Sequence, residues 1–506
     1  MATHAAKKQT EVHAPYLPRD LELGAVLDNP SRDALRELAR PGEWTTIWGN
    51  AAYVSRVRSR SAKFSKNFVD EPFTDEDRAL VEAVREHVRN REFIQVDRTM
   101  GQGEGAYHCR AFVQKHAARV ALFWHSALFP PPADYAAREP DFVTYYVEDW
   151  PERRVLIDAE HGVTYVLGID YYGECKKAFL RMGMYHTKTR RGGLGLHAGS
   201  KILRVKNRSG ALVERGAIFF GLSGTGKTSL TCHPHELHGE EGVEILQDDV
   251  VFMMPDGACR GTEEGFYIKT DGLRPEDQPT LYDAIQKPRA LLENVWVGPD
   301  REVDFDNCAI SKNGRAIVLR SDIDLCGERI DLEKVNLVFF ITRNYTIVPP
   351  VARLTPVQGA AAFMLGESIK TSAADPSAAG EAVREVGTNP FIVGPKYEEG
   401  NRFLEILERN GDEIQCFLLN TGKVGGKEAG KKITLMMSQA IIREIARDTV
   451  EWTTDPDWGY EVPTQVPGMD IEAFDPRKLY APEEYAQLCR TLKHERKAWL
   501  EQFSGL

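Results

Sequence analysis

The sequence predicts a two-lobed α/β protein, with a mixed-sheet N-terminal lobe and a C-terminal lobe built around one glycine-rich strand, loop and helix. Three observations carry this prediction. The chain has 506 residues, enough for two domains or for one large protein of two lobes. Short β-like runs alternate with amphipathic helices and do not repeat as regular βαβ units. A glycine-rich turn stands between an apolar strand and a helix near the middle of the chain.

Composition excludes several classes of protein. Lys and Arg number 64 and Asp and Glu 75, so the formal net charge is −11, which argues against a broad surface for nucleic acid or anionic membranes. No apolar run is long enough to span a bilayer, and the first residues lack the apolar core of a signal peptide. Eight scattered cysteines indicate reduced core thiols. We expect a cytoplasmic protein, a monomer or small homo-oligomer, without nucleic-acid or membrane partners.

The N-terminal lobe is predicted to span residues 31–210, after a flexible lead-in of residues 1–30. A short amphipathic helix is predicted at 31–39. A second helix is predicted at 74–91, because Thr74 and Asp77 form a capping signature. Short apolar runs between residues 92 and 168 predict strands.

One segment of this lobe, residues 53–69, carries five basic residues and no acidic one. It is either a solvated loop or a clamp for an anionic substrate. Composition alone leaves both interpretations open.

A P-loop pattern, GxxxxGK[ST], fills residues 221–228 between a predicted strand, 217–220, and a predicted helix from Ser229 onward. Its glycines, Gly221, Gly224 and Gly226, are expected to adopt positive φ angles, so that successive backbone N–H groups point at phosphate oxygens. A chance glycine-rich turn is the alternative. The order of strand, loop, helix and acidic strand argues against it, and the unit predicts a nucleoside triphosphate as ligand.

The charged residues of this unit have separate roles. Lys227 places a positive charge near the β- and γ-phosphates, and the Thr228 hydroxyl can hold a divalent metal. The next predicted strand, 243–246, is followed by Asp248 and Asp249. Carboxylates at this position bind the metal in P-loop proteins. The predicted phosphate site consists of Gly221, Leu222, Ser223, Gly224, Thr225, Gly226, Lys227, Thr228 and Ser229.

The C-terminal lobe is predicted to span residues 211–506. Its further predicted strands are 265–270, 290–297 and 336–342, which point to a mixed sheet. Residues 367–389 are rich in small and polar side chains and are predicted to form a mobile lid. Helical periodicity returns at 434–447 and in the last segment of the chain.

The P-loop is one of six motifs that occur in order along the chain. They are RSAK at 60–63, YYGECKK at 171–177, LH at 196–197, GLSGTGKTSL at 221–230, NGRA at 313–316 and PPVARLT at 349–355. Together they resemble the motifs of the ATP-type phosphoenolpyruvate carboxykinases, whose GTP-using relatives carry a different P-loop. The resemblance extends over residues 60–438, and six ordered motifs are far more specific than any one.

The resemblance implies an enzyme that converts oxaloacetate and ATP to phosphoenolpyruvate, ADP and CO₂, in a cleft between two lobes and without an organic cofactor. It implies Mn²⁺ held by Lys177, His197 and Asp249, and Mg²⁺ held by Thr228 and the nucleotide. A lysine ligates a metal only as the neutral amine, so neighbouring cations must lower its pKa. Taken alone, Lys177 would be a solvated lysine and His197 a structural histidine; their positions in the motifs favour the metal site.

The same resemblance assigns the remaining roles. Arg60 and Arg315 bind a carboxylate and the transferring phosphoryl group, because their planar forks match such oxygens. Tyr171 supports the substrate or CO₂ pocket. The residues predicted to be catalytic are Arg60, Tyr171, Lys176, Lys177, Lys227, Asp248 and Arg315. The predicted nucleotide contacts beyond the P-loop are Lys269, Arg315, Lys432, Ile433 and Ser438, with Lys432 standing where the family has arginine.

Two other functions remain open on the sequence. One is a related P-loop kinase with a different phosphoryl acceptor or donor. It would not need Arg60, Tyr171, Lys177 and Arg315 together. The other is a regulator that binds nucleotide without turnover. Such a regulator would not need the full set of predicted catalytic residues, and all of them are present.

Overall fold

The computed structural model of the chain describes residues 14–57, 62–222, 224–369 and 381–503. It contains a seven-stranded, an eight-stranded, a five-stranded and a three-stranded sheet, with two-stranded ribbons beside them. Helices cover the larger sheets, and parallel and antiparallel pairs occur together in the seven-, eight- and five-stranded sheets. The predicted α/β class with mixed sheets is confirmed. No helix in the described parts of the chain is both long and apolar enough to cross a bilayer.

The helices differ widely in length. They are α1 (Arg32–Ala39), α2 (Asp75–Val88), α3 (Ala118–Ala127), α4 (Tyr172–Arg191), α5 (Lys227–Thr231), α6 (Pro279–Ile285), α7 (Pro356–Leu365), α8 (Lys396–Asn410), α9 (Leu435–Ala446), α10 (Pro476–Leu479) and α11 (Pro482–Leu500). The predicted capping signature is confirmed, because Thr74 and Asp77 form a reciprocal capping box at the start of α2.

The strands are mostly short. They are β1 (Val26–Asp28), β2 (Trp44–Thr45), β3 (Ala51–Tyr53), β4 (Ser65–Asn67), β5 (Phe93–Met100), β6 (Tyr107–Gln114), β7 (Phe142–Val147), β8 (Arg154–Asp158), β9 (Val163–Leu167), β10 (Leu194–Leu196), β11 (Ala198–Lys206), β12 (Leu212–Gly221), β13 (Gly242–Gln247), β14 (Val251–Met253), β15 (Cys259–Gly261), β16 (Gly265–Lys269), β17 (Leu291–Glu293), β18 (Trp296–Val297), β19 (Val303–Asp304), β20 (Arg315–Leu319), β21 (Leu337–Thr342), β22 (Val351–Leu354), β23 (Glu367–Ile369), β24 (Ala382–Arg384), β25 (Gln415–Asn420), β26 (Lys423–Val424), β27 (Lys431–Lys432), β28 (Glu451–Thr454) and β29 (Glu461–Gln465).

The seven-stranded sheet has the order β1-β5-β6-β7-β9-β8-β4 and lies entirely in the N-terminal third of the chain. All residues of β7 and β9 are buried, since apolar clusters cover both faces of the sheet. Residues 14–30 of the predicted flexible lead-in are packed against this sheet. Leu17 is fully buried and β1 pairs with β5, so apolar side chains fasten this segment.

The eight-stranded sheet has the order β13-β11-β12-β21-β25-β22-β29-β28 and carries the P-loop. At its centre β12, β21 and β25 run parallel. Phe219, Phe339 and Phe417 stack across these three strands with ring centroids 5.1 and 5.3 Å apart. The aromatic runs of the sequence therefore form the buried centre of the sheet.

The five-stranded sheet, β16-β20-β17-β3-β2, joins early and late segments of the chain. In it β3 pairs with β17, so residues 51–53 lie against residues 291–293. Between the sheets runs α4, which is buried over most of its length and ends at Gly192 with φ of +66°. These elements bring the predicted site residues together.

Three predictions need comment. The P-loop helix was expected from Ser229 onward, but α5 begins at Lys227 and has only five residues.

The predicted lid lies partly outside the described residues, and its described flanks, β23 and β24, form an antiparallel pair. All eight cysteines are free thiols, but Cys308 is exposed because it lies in the loop between β19 and β20; a core position for it was wrong.

Candidate active site

The P-loop joins the C-terminal end of β12 to α5, as the sequence predicts. Gly224 and Gly226 have φ angles of +84° and +104°, which favour glycine. Gly221 instead has the extended conformation of β12, so the expected positive φ was wrong there. Glycine is needed at that position because a Cβ would lie 2.5 Å from Thr225 Oγ1. Ser223 lies outside the described residues.

The loop is fastened to the sheet beneath it. The Thr225 hydroxyl donates to the carbonyl of Leu222 at 2.7 Å. Thr421, which directly follows β25, donates from its hydroxyl to the carbonyls of Thr225 and Thr342, at 2.9 and 3.2 Å. Leu222 and Ser229 are both half-buried. The loop therefore has a preformed backbone, which suits binding of phosphate through N–H groups.

Asp249 is the centre of the charged groups around the P-loop. It follows β13, and its Oδ1 lies 3.0 Å from both Lys227 Nζ and His197 Nε2. Its Oδ2 lies 2.8 Å from Lys176 Nζ. Burial alone would raise the pKa of Asp249, yet Lys176 and Lys227 hold that pKa well below its usual range. The carboxylate is therefore ionised at neutral pH.

His197 is held as a neutral imidazole beside this carboxylate. Burial and the nearby Lys227 lower the pKa of His197. Its Nδ1 lies 2.8 Å from the carbonyl of Thr388 and donates to it, which leaves the lone pair of Nε2 directed toward Asp249. The Nε2 lone pair and the carboxylate oxygen, 3.0 Å apart, form a pair of acceptors that fits a cation. The Lys227 ammonium contacts both, with its Nζ 3.3 Å from Nε2 and 3.0 Å from Asp249 Oδ1.

Asp248 offers a second acceptor nearby. The Thr228 hydroxyl donates to Asp248 Oδ2 at 3.3 Å. Asp248 Oδ1 is buried and has no hydrogen-bond partner among the described residues, and burial raises the pKa of this carboxyl group. In the described chain no three His, Cys, Asp or Glu side chains form a group able to hold a metal. The donors here therefore fit a metal only together with a lysine amine, a hydroxyl or a ligand oxygen.

The two adjacent lysines of α4 have different partners. Lys176 lies between Asp249 and Glu263, with its Nζ 2.8 and 3.0 Å from their carboxylate oxygens. Burial would lower the pKa of Lys176, but these two carboxylates raise it above its usual value. Burial also raises the pKa of Glu263 to about 7. Lys176 is thus the ammonium that pairs with Asp249.

Lys177 points in a different direction from the helix axis than Lys176 does. Its Nζ lies 2.9 Å from Glu174 Oε1 and 5.9 and 5.4 Å from the ring centroids of Tyr171 and Phe391. The Phe391 ring also meets the His197 ring edge-on, at 6.2 Å between centroids. Lys177 and His197 therefore share one aromatic neighbour, and metal ligation by Lys177 stays a prediction.

The substrate side is built around Asn313. Its Nδ2 donates to the Tyr171 hydroxyl at 3.3 Å, and Arg315 Nε donates to its Oδ1 at 3.2 Å. Lys269 stands opposite Arg315 in the β16–β20 pair, and its Nζ pairs with Asp271 at 2.9 Å. Tyr171, Lys269 and Arg315 are thus brought to one region, and their roles stay predictions. Arg60 lies outside the described residues.

A buried carboxylate that the sequence prediction missed supports this region. Glu293 accepts hydrogen bonds from the Tyr267 hydroxyl at 2.6 Å and the Tyr172 backbone N–H at 3.0 Å. It stands opposite Arg315 in the β17–β20 pair. The Arg315 guanidinium lies 5.6 Å from the Tyr267 ring centroid. The only sequence signal for Glu293 is an acid inside the apolar run ALLENV.

The segment expected to bind adenosine has weaker support. Ile433 is buried, and its N–H donates to the carbonyl of Gly422 at 3.0 Å, next to Thr421. Lys432 is exposed. The buried Ser438 donates to the carbonyl of Thr434 within α9 at 3.3 Å. The described residues contain no hydrogen bond from these two side chains to the P-loop, so their role stays a prediction.

Comparisons with known proteins agree with this geometry. A family model described as phosphoenolpyruvate carboxykinase matches residues 51–472. The chain is 34% identical over 482 residues to the phosphoenolpyruvate carboxykinase (ATP) of Aeropyrum pernix, an alignment that covers 94% of each chain. The chain belongs to the ATP-type phosphoenolpyruvate carboxykinase family. A relative with the same description from Rhodopseudomonas palustris (strain BisB5) is 28% identical, over 76% of this chain and 72% of that protein.

Membership in the ATP-type phosphoenolpyruvate carboxykinases confirms the predicted function. The match includes the P-loop, the helix with the paired lysines and the strand that begins with Arg315. The alternative of a kinase with another acceptor is not favoured, since the similarity to the Aeropyrum pernix enzyme extends over nearly the whole chain.

Proposed function

We propose that this chain converts oxaloacetate and ATP to phosphoenolpyruvate, ADP and CO₂ with the residues that surround Asp249. One observation carries the assignment of these residues. Asp249 contacts the P-loop lysine Lys227, the imidazole of His197 and the ammonium of Lys176 at 3.0 Å or less. Groups suited to phosphoryl transfer and groups suited to stabilising an enolate therefore meet at one carboxylate.

The proposal includes a two-lobed architecture with the active site in the cleft. One lobe carries the seven-stranded sheet, and the other carries the eight-stranded sheet and the P-loop. A boundary at residue 210 would separate β11 from β12, which form an antiparallel pair, so we place it before β11. The lid is proposed to extend over residues 367–389.

ATP would bind with its phosphates at the P-loop. The N–H groups around Gly224 and Gly226 would donate to phosphate oxygens, and the Lys227 ammonium would neutralise charge as the γ-phosphoryl group moves to the enolate oxygen. Lys269 and Arg315 would stabilise the same developing charge. The adenosine contacts are proposed to be Lys432, Ile433 and Ser438.

The residues present fit divalent metals. Lys177, His197 and Asp249 would hold Mn²⁺, while Thr228 and the nucleotide would hold Mg²⁺, as the acceptor pair of His197 and Asp249 and the unpartnered Asp248 Oδ1 support. A divalent cation there supplies Lewis acidity that stabilises negative oxygen.

Oxaloacetate would be held through its carboxylates. Arg60 and Arg315 are proposed to bind them, with Tyr171 closing the pocket through Asn313. When the C–C bond breaks and CO₂ leaves, its electron pair becomes the enolate, which then takes the phosphoryl group. Lys176 would remain charged during this step, because Asp249 and Glu263 raise its pKa. The cytoplasmic location and the monomeric or small oligomeric state stay predictions.

A coupled assay of phosphoenolpyruvate formation from oxaloacetate tests the proposal. ATP, GTP and pyrophosphate are compared as donors with Mg²⁺ and Mn²⁺ present singly and together. We expect turnover with ATP that is greatest when Mn²⁺ accompanies Mg²⁺. Turnover with another donor only would contradict the nucleotide site, and binding of ATP without turnover would contradict the assignment of the substrate residues.

A further inference from the structure

Arg181 is a buried cation with an unpartnered nitrogen. It lies on α4, one helical turn after Lys177, and is 7% exposed. Among the described residues, its buried Nη1 has no hydrogen-bond partner, and no carboxylate of those residues forms a salt bridge with the guanidinium. Burial lowers the pKa of Arg181, with only Glu174 opposing the change. A buried charge normally has a partner that offsets the loss of water, so this guanidinium needs an explanation.

The position of Arg181 relates it to the active site. Its Cζ lies 6.0 Å from the centroid of the Phe391 ring, which also stands 5.4 Å from Lys177 Nζ. The same ring meets the His197 ring edge-on. Glu174, the nearby acid, is within 2.9 Å of Lys177. Arg181 therefore shares the Phe391 ring with Lys177 and His197, two residues of the predicted metal site, and Glu174 forms an ion pair with Lys177.

The segment that faces α4 also has polar groups without strong partners. Thr388 Oγ1 is buried and lacks a hydrogen-bond partner in the described chain, although the Thr388 carbonyl accepts from His197. Asn389 is 3% exposed, and its Nδ2 donates to Met184 Sδ at 3.2 Å, a weak acceptor. Met184 stands three residues after Arg181 and so shares its side of the helix. The Thr388 hydroxyl and the Asn389 amide group can therefore act as hydrogen-bond donors to a further group in this region.

We propose that Arg181 binds a small carboxylate-type anion beside the predicted metal site, with Thr388 and Asn389 as additional donors. Ionised carboxylates only accept hydrogen bonds, and their two oxygens match the fork of a guanidinium. The Phe391 ring offers no hydrogen-bond acceptor to the buried Nη1 of Arg181. The anion could come from two sources, a carboxylate of the substrate or free bicarbonate.

Thermal unfolding of the full chain in formate tests the site without any turnover. A ligand that binds only the folded state raises the melting temperature. Formate at millimolar concentration is compared with chloride at equal ionic strength. We expect formate to raise the melting temperature of the wild-type chain by about 2 °C. Arg181→Met should abolish that rise and, because it removes an unpaired buried charge, should not lower the melting temperature in chloride.

Two further variants make the test specific. Arg190→Met changes an exposed arginine on the same helix that donates to the carbonyl of Glu160, and it should keep the full response to formate. Arg181→Lys should keep part of the response, because an ammonium still attracts the anion without a bidentate fork. A purely structural arginine would instead show a lower melting temperature in Arg181→Met and an unchanged formate response.

Competition then distinguishes the two sources. If the anion is a substrate carboxylate, saturating phosphoenolpyruvate should remove the formate effect, and Arg181→Met should raise the KM for phosphoenolpyruvate about 10-fold or more with a smaller change in kcat. If it is bicarbonate, the effects of formate and phosphoenolpyruvate should add. Either result supports the site. No formate-specific rise in the wild-type chain, or an equal rise in Arg181→Met, overturns it, even if carboxykinase turnover is observed.

Discussion

The phosphate side and the substrate side of the active site are built in different ways. The phosphate side comes from one continuous stretch, residues 221–229, and from the two aspartates that follow the next strand. The substrate side combines segments far apart in the chain: Tyr171 meets Asn313 across 142 positions, and His197 meets Thr388 across 191. Local sequence therefore specifies the first side, and long-range packing assembles the second.

The paired lysines show what this difference teaches. Lys176 and Lys177 are adjacent and identical in type, so their sequence does not assign them separate partners. The α-helix turns about 100° per residue, since 3.6 residues make one turn. Lys176 consequently reaches Asp249 and Glu263, and Lys177 reaches Glu174. The packing of α4 between the sheets assigns the two roles.

The largest expected effect lies where the two sides meet. Asp249→Asn removes the charge shared by Lys176, Lys227 and His197 while keeping the side-chain shape. We expect kcat/KM for phosphoenolpyruvate formation to fall by about 10³-fold or more, because preorganised charge is lost from both half-sites. Steady-state kinetics measures it. Asp256→Asn, at an exposed turn, serves as control, and a loss of under about 10-fold in Asp249→Asn would contradict the central role.

A substitution on the substrate side should affect oxaloacetate selectively. Arg315→Ala removes a guanidinium held by Asn313 and Tyr267, and we expect kcat/KM for oxaloacetate to fall about 10²- to 10³-fold. The affinity for ATP, measured by calorimetry without oxaloacetate so that no turnover occurs, should change much less. Arg274→Ala, which breaks an exposed pair with Asp306, should leave both unchanged. Normal oxaloacetate turnover in Arg315→Ala would exclude the proposed carboxylate site.

A substitution on the phosphate side should act through local backbone alone. Gly226 has φ of +104° and open space around its Cβ position, so Gly226→Ala strains the backbone without a steric clash. We expect the KM for ATP to rise about 10- to 100-fold. Gly210→Ala is the matched control, since Gly210 has φ of +81° and equally open surroundings outside the site. Equal kinetic effects in both variants would show that general destabilisation is responsible.

The smallest expected effect concerns long-range packing that holds the ends of the proposed lid. Buried Glu367 accepts from Arg384 and Arg496, at 3.0 and 2.8 Å, which fastens α11 to β23. Burial would raise the pKa of Glu367, but both arginines hold it below its ordinary value of 4.5. Its ionisation therefore stabilises the fold above the unfolded-state pKa, and this stability is lost as pH falls through the folded-state value.

The test compares Glu367→Gln with the wild-type chain. We expect a loss of about 2 kcal/mol at pH 7, because the amide retains one acceptor oxygen. The difference should shrink as the pH falls below about 4.5, measured by urea unfolding at several pH values. Glu461→Gln breaks a more exposed pair with Arg353 and should cost under about 1 kcal/mol. A difference independent of pH would contradict an ionic origin.

Prediction from sequence succeeded where the determinants are local. The capping box of Thr74 and Asp77, the strand before the P-loop and the placement of Asp249 after β13 depend on neighbouring residues. Gly221 was assigned the wrong backbone conformation, because its need for glycine comes from the approach of the Thr225 side chain. Glu293 and Phe391 were missed because neither belongs to a local pattern.

The sequence by itself determined the α/β class and the phosphate loop, because spacing along the chain directly sets strand, turn and helix geometry. Membership in the carboxykinase family follows from similarity to known sequences. Only the tertiary structure decided that Lys176 pairs with Asp249, that Thr388 orients His197 and that Arg181 Nη1 is buried without an acceptor among the described residues. These contacts depend on how α4, the sheets and the segment after β24 pack against one another. Packing between distant segments depends on the whole chain, so a local sequence pattern does not predict it.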